Sequence, residues 1–391
     1  MMAEQYELRG GKTSLIVYGN YPDKMELEQL FAMMDCPAFE NQPIRIMPDH
    51  HAGSGCVIGF TSPYSGFAVP NVVGVDIGCG VQALNLGPRV LRDNEFKAFD
   101  RYLRDNVPSG FSSRSTPFKE MKLAYTRFVD PKGRVSWDQF VENVDKLASK
   151  VGSKPGSVWP SVGTLGGGNH FIELDHHEES DEMFLTVHSG SRNFGLKICL
   201  YHQRVAKDNL GPKRNLEWLE GDEAAAYLAD MRTAQNYAVL NRMVMLTILA
   251  KHFKVKMREA EIITSVHNFI GDDDVIRKGA ISAKKGERVI LPWNMRDGVV
   301  VGVGKGNPDW NNSAPHGAGR IMSRGDAKRT LTLTDFKETM NGIWSSCISR
   351  DTLDEAPGAY KDPESVEATI ADTVDITMRL KPVYNFKASK E

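Results

Sequence analysis

The chain has 391 residues, 41% hydrophobic and 25% charged, close to the average for soluble globular chains, which excludes a disordered chain, a fibrous repeat and a disulfide-stapled miniprotein. Forty-eight Lys and Arg against 50 Asp and Glu leave a net charge of −2, so a polyanionic partner needs a local basic patch. Five widely spaced cysteines without a C-x-x-C pair argue for reduced thiols in a cytoplasm rather than a disulfide framework.

Residues 1–20 lack a basic stretch followed by an apolar run, so no signal peptide is expected. In chain order, residues 25–35 read as a short helix and 72–75 as a strand, while Ser136 and Gln139 form a capping box that opens a helix to about residue 150. Residues 184–187 read as a second strand. A helical segment follows at about 214–253, clearest over 220–253, where Ala224, Leu228, Met231, Ala234, Ala238, Met245 and Leu249 recur at helical spacing. Its most apolar part contains Asn241 and Arg242 and is shorter than the ~20 residues of a membrane span, so no membrane role is expected. Strands are predicted at 261–266, 288–291 and 299–303, and the turn signal Asp362-Pro363 precedes a last helix over 365–380. With no repeat or long linker, residues 1–391 read as one domain.

The chemistry-bearing residues cluster at the ends of these runs. Asp76 and Cys79 in Gly74-Val75-Asp76-Ile77-Gly78-Cys79-Gly80 place a hard and a soft ligand three residues apart; alone, a buried structural cysteine is equally expected. His170 follows the glycine cluster 163–168, which is either a backbone nest for phosphate or a Gly-rich turn. His188 and His267 each follow an apolar strand, and Ser191 and Arg192 come directly after the first. One Cys, three His and one Asp exceed the four positions of a tetrahedral site, so two ions sharing the thiolate is the natural count. Ligand type favours zinc, yet imidazole-rich sites also hold Mn²⁺.

His316, in Ser313-Ala314-Pro315-His316-Gly317-Ala318-Gly319-Arg320, is either a loop histidine among glycines or a nucleophile toward a nucleotide α-phosphorus, with Arg320 absorbing charge. Basic residues at Lys278, Lys284, Lys285 and Arg288, and at Arg320, Arg324, Lys328 and Arg329, are either a solvated face or a track for an RNA backbone.

The ordered set Met47-Pro48-Asp49-x-His51-x-Gly53, Gly74-Val75-Asp76-x-x-Cys79-Gly80, Gly163-Thr164-Leu165-Gly166 to Asn169-His170-Phe171-x-Glu173, Val187-His188-Ser189-Gly190-Ser191-Arg192, His267-Asn268 and His316-Gly317-Ala318-Gly319-Arg320 resembles the RtcB family of RNA ligases, from about Ile44 to Lys387. The resemblance implies an α+β fold, with mixed sheets and surrounding helices around a central metal-containing cleft. It also implies joining of an RNA 3′-phosphate or 2′,3′-cyclic phosphate to a 5′-hydroxyl with GTP and two Mn²⁺ ions. His316 would be guanylylated; Arg192, whose guanidinium suits phosphate, and Arg320 are further catalytic candidates. Cys79 would bridge the ions, one completed by His188 and His267, the other by Asp76 and His170. Asn169, Phe171, Glu173, Tyr360 and Lys387 would line the guanylate pocket, and Asp49 would orient a hydroxyl or a metal-bound water. A small protein activator is a further implied partner. Residues 292–299 read Pro-Trp-Asn-Met-Arg-Asp-Gly-Val where the family usually carries Gly-Ser-Met-Gly, which leaves base selectivity open. The alternatives are a phosphoesterase that opens cyclic ends without sealing and a non-catalytic RNA-binding relative; His316 separates them.

Overall fold

The computed structural model describes residues 4–258 and 261–388, and its fold is α+β. In chain order the strands are Gln5–Arg9 (β1), Ser14–Tyr18 (β2), Ile44–His51 (β3), Ile58–Pro63 (β4), Gly80–Pro88 (β5), Phe171–His177 (β6), Glu182–Ser189 (β7), Ile262–Val266 (β8), Phe269–Ile270 (β9), Val275–Lys278 (β10), Ala280–Ser282 (β11), Arg288–Pro292 (β12), Val299–Gly304 (β13), Ser313–Pro315 (β14) and Val374–Lys387 (β15). One sheet runs β1-β2-β3-β4-β10-β9 and a second β12-β13-β15-β6-β7-β5-β8; β11 and β14 form a separate pair. Among these strands of the described residues, every strand–strand pairing is antiparallel except β2 with β3.

The helix Gly221–His252 is unbroken, and its second half is buried on nearly every face, from Tyr237 through Ala250. Residues 214–220 precede it without helical structure. The helix Lys24–Met34 is opened by Asp23, whose side chain accepts from the Glu26 backbone N–H while the Glu26 side chain accepts from the Asp23 N–H. Ser136 caps the helix Trp137–Lys150, but the Gln139 side chain turns onward to Glu142 and Asn143, so only half of the predicted box forms. Among the described residues, no helix is long and apolar enough to cross a membrane.

Two element predictions fail. Residues 72–75 are not a strand: Pro70, with its fixed φ, starts one helical turn over Pro70–Val73, and Gly74 at φ +94° ends it. The last helix stops at Ile370, and residues 374–387 form β15. Val374, Ile376, Met378 and Leu380 alternate with Asp375, Thr377, Arg379 and Lys381, a period of two that a helix cannot bury on one face. This strand matters to the site: its register sets Lys387 opposite Phe171 and Asn385 opposite Glu173.

Candidate active site

Strands β5 to β8 end together and carry the ligand candidates to one place. Cys79 directly precedes β5, His188 lies near the end of β7, and His267 directly follows β8. The Cys79 Sγ lies 3.5 Å from His170 Nε2 and 3.3 Å from His188 Nε2, and ligand atoms of these three buried side chains all fall within 4.8 Å of one another. Asp76 joins on one side, with Oδ2 at 3.0 Å from His170 Nε2, and His267 on the other, with Nε2 at 3.4 Å from His188 Nε2.

The donor chemistry fits a cation. His170 Nδ1 donates to the Leu165 carbonyl at 2.9 Å, which leaves Nε2 with a lone pair in the neutral ring. That lone pair faces the Asp76 carboxylate, so a proton or a metal ion must stand between them. Burial pushes His188 and His267 well below the usual histidine range and so favours neutral ligating rings. Burial, then the Asp76 charge, raises the Cys79 thiol; a bound cation would reverse that sign. Burial alone would raise Asp76 as well, but with a proton standing on His170 Nε2 the hydrogen bond and charge of that ring outweigh it and hold the carboxyl well below its ordinary value.

The loops are held by residues that the sequence reading passed over. Asn241 Oδ1 accepts from the backbone N–H groups of Gly163 and Thr164, at 2.7 and 3.0 Å, and its Nδ2 donates to Thr164 O, Ser189 Oγ and Gly190 O. Arg242 donates to the carbonyls of Gly78 and Ser189 at 2.8 and 2.7 Å. The long helix therefore clamps the Cys79, Gly163 and His188 segments from behind. The signal was present as two polar residues inside an apolar run. Asn241 also occupies two N–H groups of the glycine cluster, which tells against a phosphate nest there. Gly190 is required by contact, because a Cβ would lie 2.1 Å from Asp76 Oδ1.

Beside the cluster opens a cavity of about 830 Å³. His188, His51, Asn169, Phe171, Glu173, His316, Arg320, Tyr360 and Lys387 all line it. The His267 and His316 rings are 4.9 Å apart. Asp49, fully buried behind His316, accepts from the ring Nδ1 at 2.6 Å and from the backbone N–H at 3.1 Å. Through Oδ2 it therefore orients His316. Gly319, at φ +74°, lets the chain pass the Asp49 carbonyl, where a Cβ would lie 2.1 Å away.

Glu355, five residues before Tyr360, ties the far wall together. It accepts from Lys387 Nζ at 2.8 Å and Tyr360 Oη at 2.7 Å, and it pairs with Arg320 and Arg324. Burial raises its carboxyl, but Lys387 and Arg324 outweigh that and hold it at about 2. Lys387 also donates to the Asn169 carbonyl at 3.3 Å. Glu173 accepts from Asn385 through Oε1, while its buried Oε2 has no partner among the described residues; burial and then Asp175 push this carboxyl up. Trp293, in the same cavity wall, has a buried Nε1 without a partner among the described residues.

Other candidates lie elsewhere. The Arg192 guanidinium donates to Thr164 Oγ1 and the Gly110 carbonyl at 3.3 Å each, bracing loops behind the cluster. Most residues of the basic track already have partners. Lys278 is buried and donates to two carbonyls, Arg288 donates to the Ile262 carbonyl, and Lys284, Lys328 and Arg329 pair with Asp273, Asp354 and Asp326. All five cysteines are unpaired and buried.

Residues 29–388 match the family profile described as "tRNA-splicing ligase RtcB". The chain belongs to the RtcB family. It is 32% identical over 381 residues to the Escherichia coli K12 protein named RNA-splicing ligase RtcB, covering 87% of this chain and 88% of the relative. It is 29% identical to the E. coli ATCC 25922 protein named RNA-splicing ligase RtcB2, over 94% of this chain and 93% of that one. The Thermococcus kodakarensis protein named tRNA-splicing ligase RtcB is 26% identical, with 86% of each chain covered. Membership gives the buried Cys79–His170–His188 group a family context that ligand geometry alone lacks.

Proposed function

We propose that this protein is a GTP-dependent RNA ligase of the cytoplasm that joins a 3′-phosphate or 2′,3′-cyclic phosphate end to a 5′-hydroxyl. The observation that carries the reading is the Asp49–His316 pair at the cavity wall beside the Cys/His cluster. With Nδ1 donating to Asp49, the neutral ring keeps its lone pair on Nε2. His316 Nε2 attacks the α-phosphorus of GTP: the N–P bond forms, the bond to the β-phosphate oxygen breaks, and pyrophosphate leaves. The GMP group then passes to the RNA 3′-phosphate, forming a P–O–P link and freeing the histidine. The 5′-hydroxyl attacks the activated phosphorus and GMP departs. A cyclic end is first opened by water.

Asp76 and His170 would hold one Mn²⁺, His188 and His267 the other, with Cys79 between them. The ions would supply positive charge for the phosphate oxygens. Arg320, at the rim, would add charge to the same transfer, while Arg192 would keep the Gly110 and Thr164 loops in place. The orphaned Glu173 Oε2 suits a donor on the nucleobase, and Asn169, Phe171, Tyr360 and Lys387 would complete that wall.

The test is sealing. Wild type with Mn²⁺ and GTP should join a 3′-phosphate RNA to a 5′-hydroxyl RNA, and His316→Ala should not. Cyclic ends opened equally by both proteins, with no joined product from either, would replace the ligase with a phosphoesterase.

A further inference from the structure

The loop after the helix Asp93–Asn106 carries Phe111, a residue 94% exposed. Its backbone is anchored. Gly110 N–H donates to the Gly166 carbonyl at 2.9 Å, Leu165 N–H to the Pro108 carbonyl at 2.9 Å, and Arg192 to the Gly110 carbonyl. Behind it, Arg114 donates to the carbonyls of Asn106, Val162 and Gly163. An aromatic ring thus stands in solvent on a fastened loop, not on a loose tip.

The loop adjoins the rim of the cavity. A Cβ on Gly167 would touch the Gly110 Cα at 4.0 Å, and one on Gly168 would lie 3.8 Å from an Arg324 nitrogen, a cavity-lining cation. Asn169 and His170 follow directly. Resting on the RNA-ligase reading, we propose that Phe111 is a stacking platform for a base of single-stranded RNA whose end enters the cavity past Gly167, Gly168 and Arg324.

The chemistry of the loop favours RNA over a protein partner. Phe111 has Gly110, Ser112 and Ser113 as neighbours in the chain, so it offers one ring face with exposed hydroxyls beside it instead of a contiguous apolar patch. A ring accepts any base face, while hydroxyls and a guanidinium contact phosphate without reading sequence.

The test compares wild type with Phe111→Ala, Phe111→Leu and Phe111→Trp. Covalent labelling by GTP, which needs no RNA, should be the same in all four. The KM for a 3′-phosphate RNA should rise about tenfold in the Ala and Leu variants and stay near wild type in Trp, as a stacking contact requires. A 2-aminopurine near the 3′ end should be quenched on binding to wild type and Trp, and not to Ala or Leu. Unchanged KM and quenching in Phe111→Ala overturn the platform, as does a Leu variant equal to wild type. Loss of binding to a protein activator with RNA kinetics intact would assign the ring to a protein partner instead. A wild type that labels with GTP but binds no RNA overturns both the platform and the ligase reading.

Discussion

The Asp49 carboxylate receives both the ring Nδ1 and the backbone N–H of His316, at 2.6 and 3.1 Å, across 267 positions of sequence. One buried oxygen therefore sets the tautomer, the ring plane and the loop position of the proposed nucleophile. Asp49 is accordingly a positioning residue.

Asp49→Asn should leave metal content unchanged and slow covalent labelling of the protein by GTP about 10²-fold or more, because an amide no longer favours the Nδ1–H tautomer. Single-turnover labelling with metal analysis on the same samples checks this. A labelling rate equal to wild type would remove Asp49 from the mechanism.

Cys79→Ser should lower occupancy at both proposed ion sites together, since a hydroxyl ionises far less readily than a thiol. Metal content after dialysis reads it. Two ions retained would refute the bridging role of Cys79.

Asn241→Ala should destabilise the fold by about 3 kcal/mol, because buried backbone groups of Gly163, Thr164 and Gly190 lose partners. It should also weaken metal retention, since the freed loops lead to His170 and follow His188. Thermal melting and metal titration separate the two effects. Lower stability with metal affinity intact would reduce Asn241 to a packing residue.

Much of the candidate site was legible because the proposed metal ligands and the proposed nucleophile carry their chemistry in short local motifs. The roles of Asp49, Asn241 and Glu355 were not, because each acts through a partner far away in sequence. Asn241 and Arg242 registered only as polar breaks in an apolar run; their burial turns them into a clamp. In the fold, the helix Gly221–His252 followed from period and length, whereas β15 was absorbed into a helix that its own alternation contradicts. The basic residues at 278–288 illustrate the opposite failure, since charge in a sequence does not reveal that Lys278 is buried on carbonyls.

Acid should destabilise the metal-free protein. Burial lowers His51 to about 4, despite the hydrogen bond to the Asp49 carbonyl, which acts in the other direction. In the unfolded chain the ring titrates near its usual ~6.5. Between those values the unfolded chain takes up a proton that the folded one refuses, so stability present above about pH 6.5 is lost as pH falls toward 4, on the order of 3 kcal/mol for this ring. His188 and His267 shift the same way, so His51→Gln isolates one part of the slope. Denaturant midpoints from pH 7 to 4 should fall less steeply in that variant; parallel curves would contradict the assignment.

The most direct measurement is covalent transfer to His316. Wild type incubated with Mn²⁺ and GTP labelled at the α-phosphate should retain label through denaturation and lose it in acid, as a phosphoramidate does, and His316→Ala should carry none. ATP run alongside reads base preference, which the 292–299 segment leaves open. Label retained by His316→Ala, or absent from wild type with every nucleotide, would contradict the account.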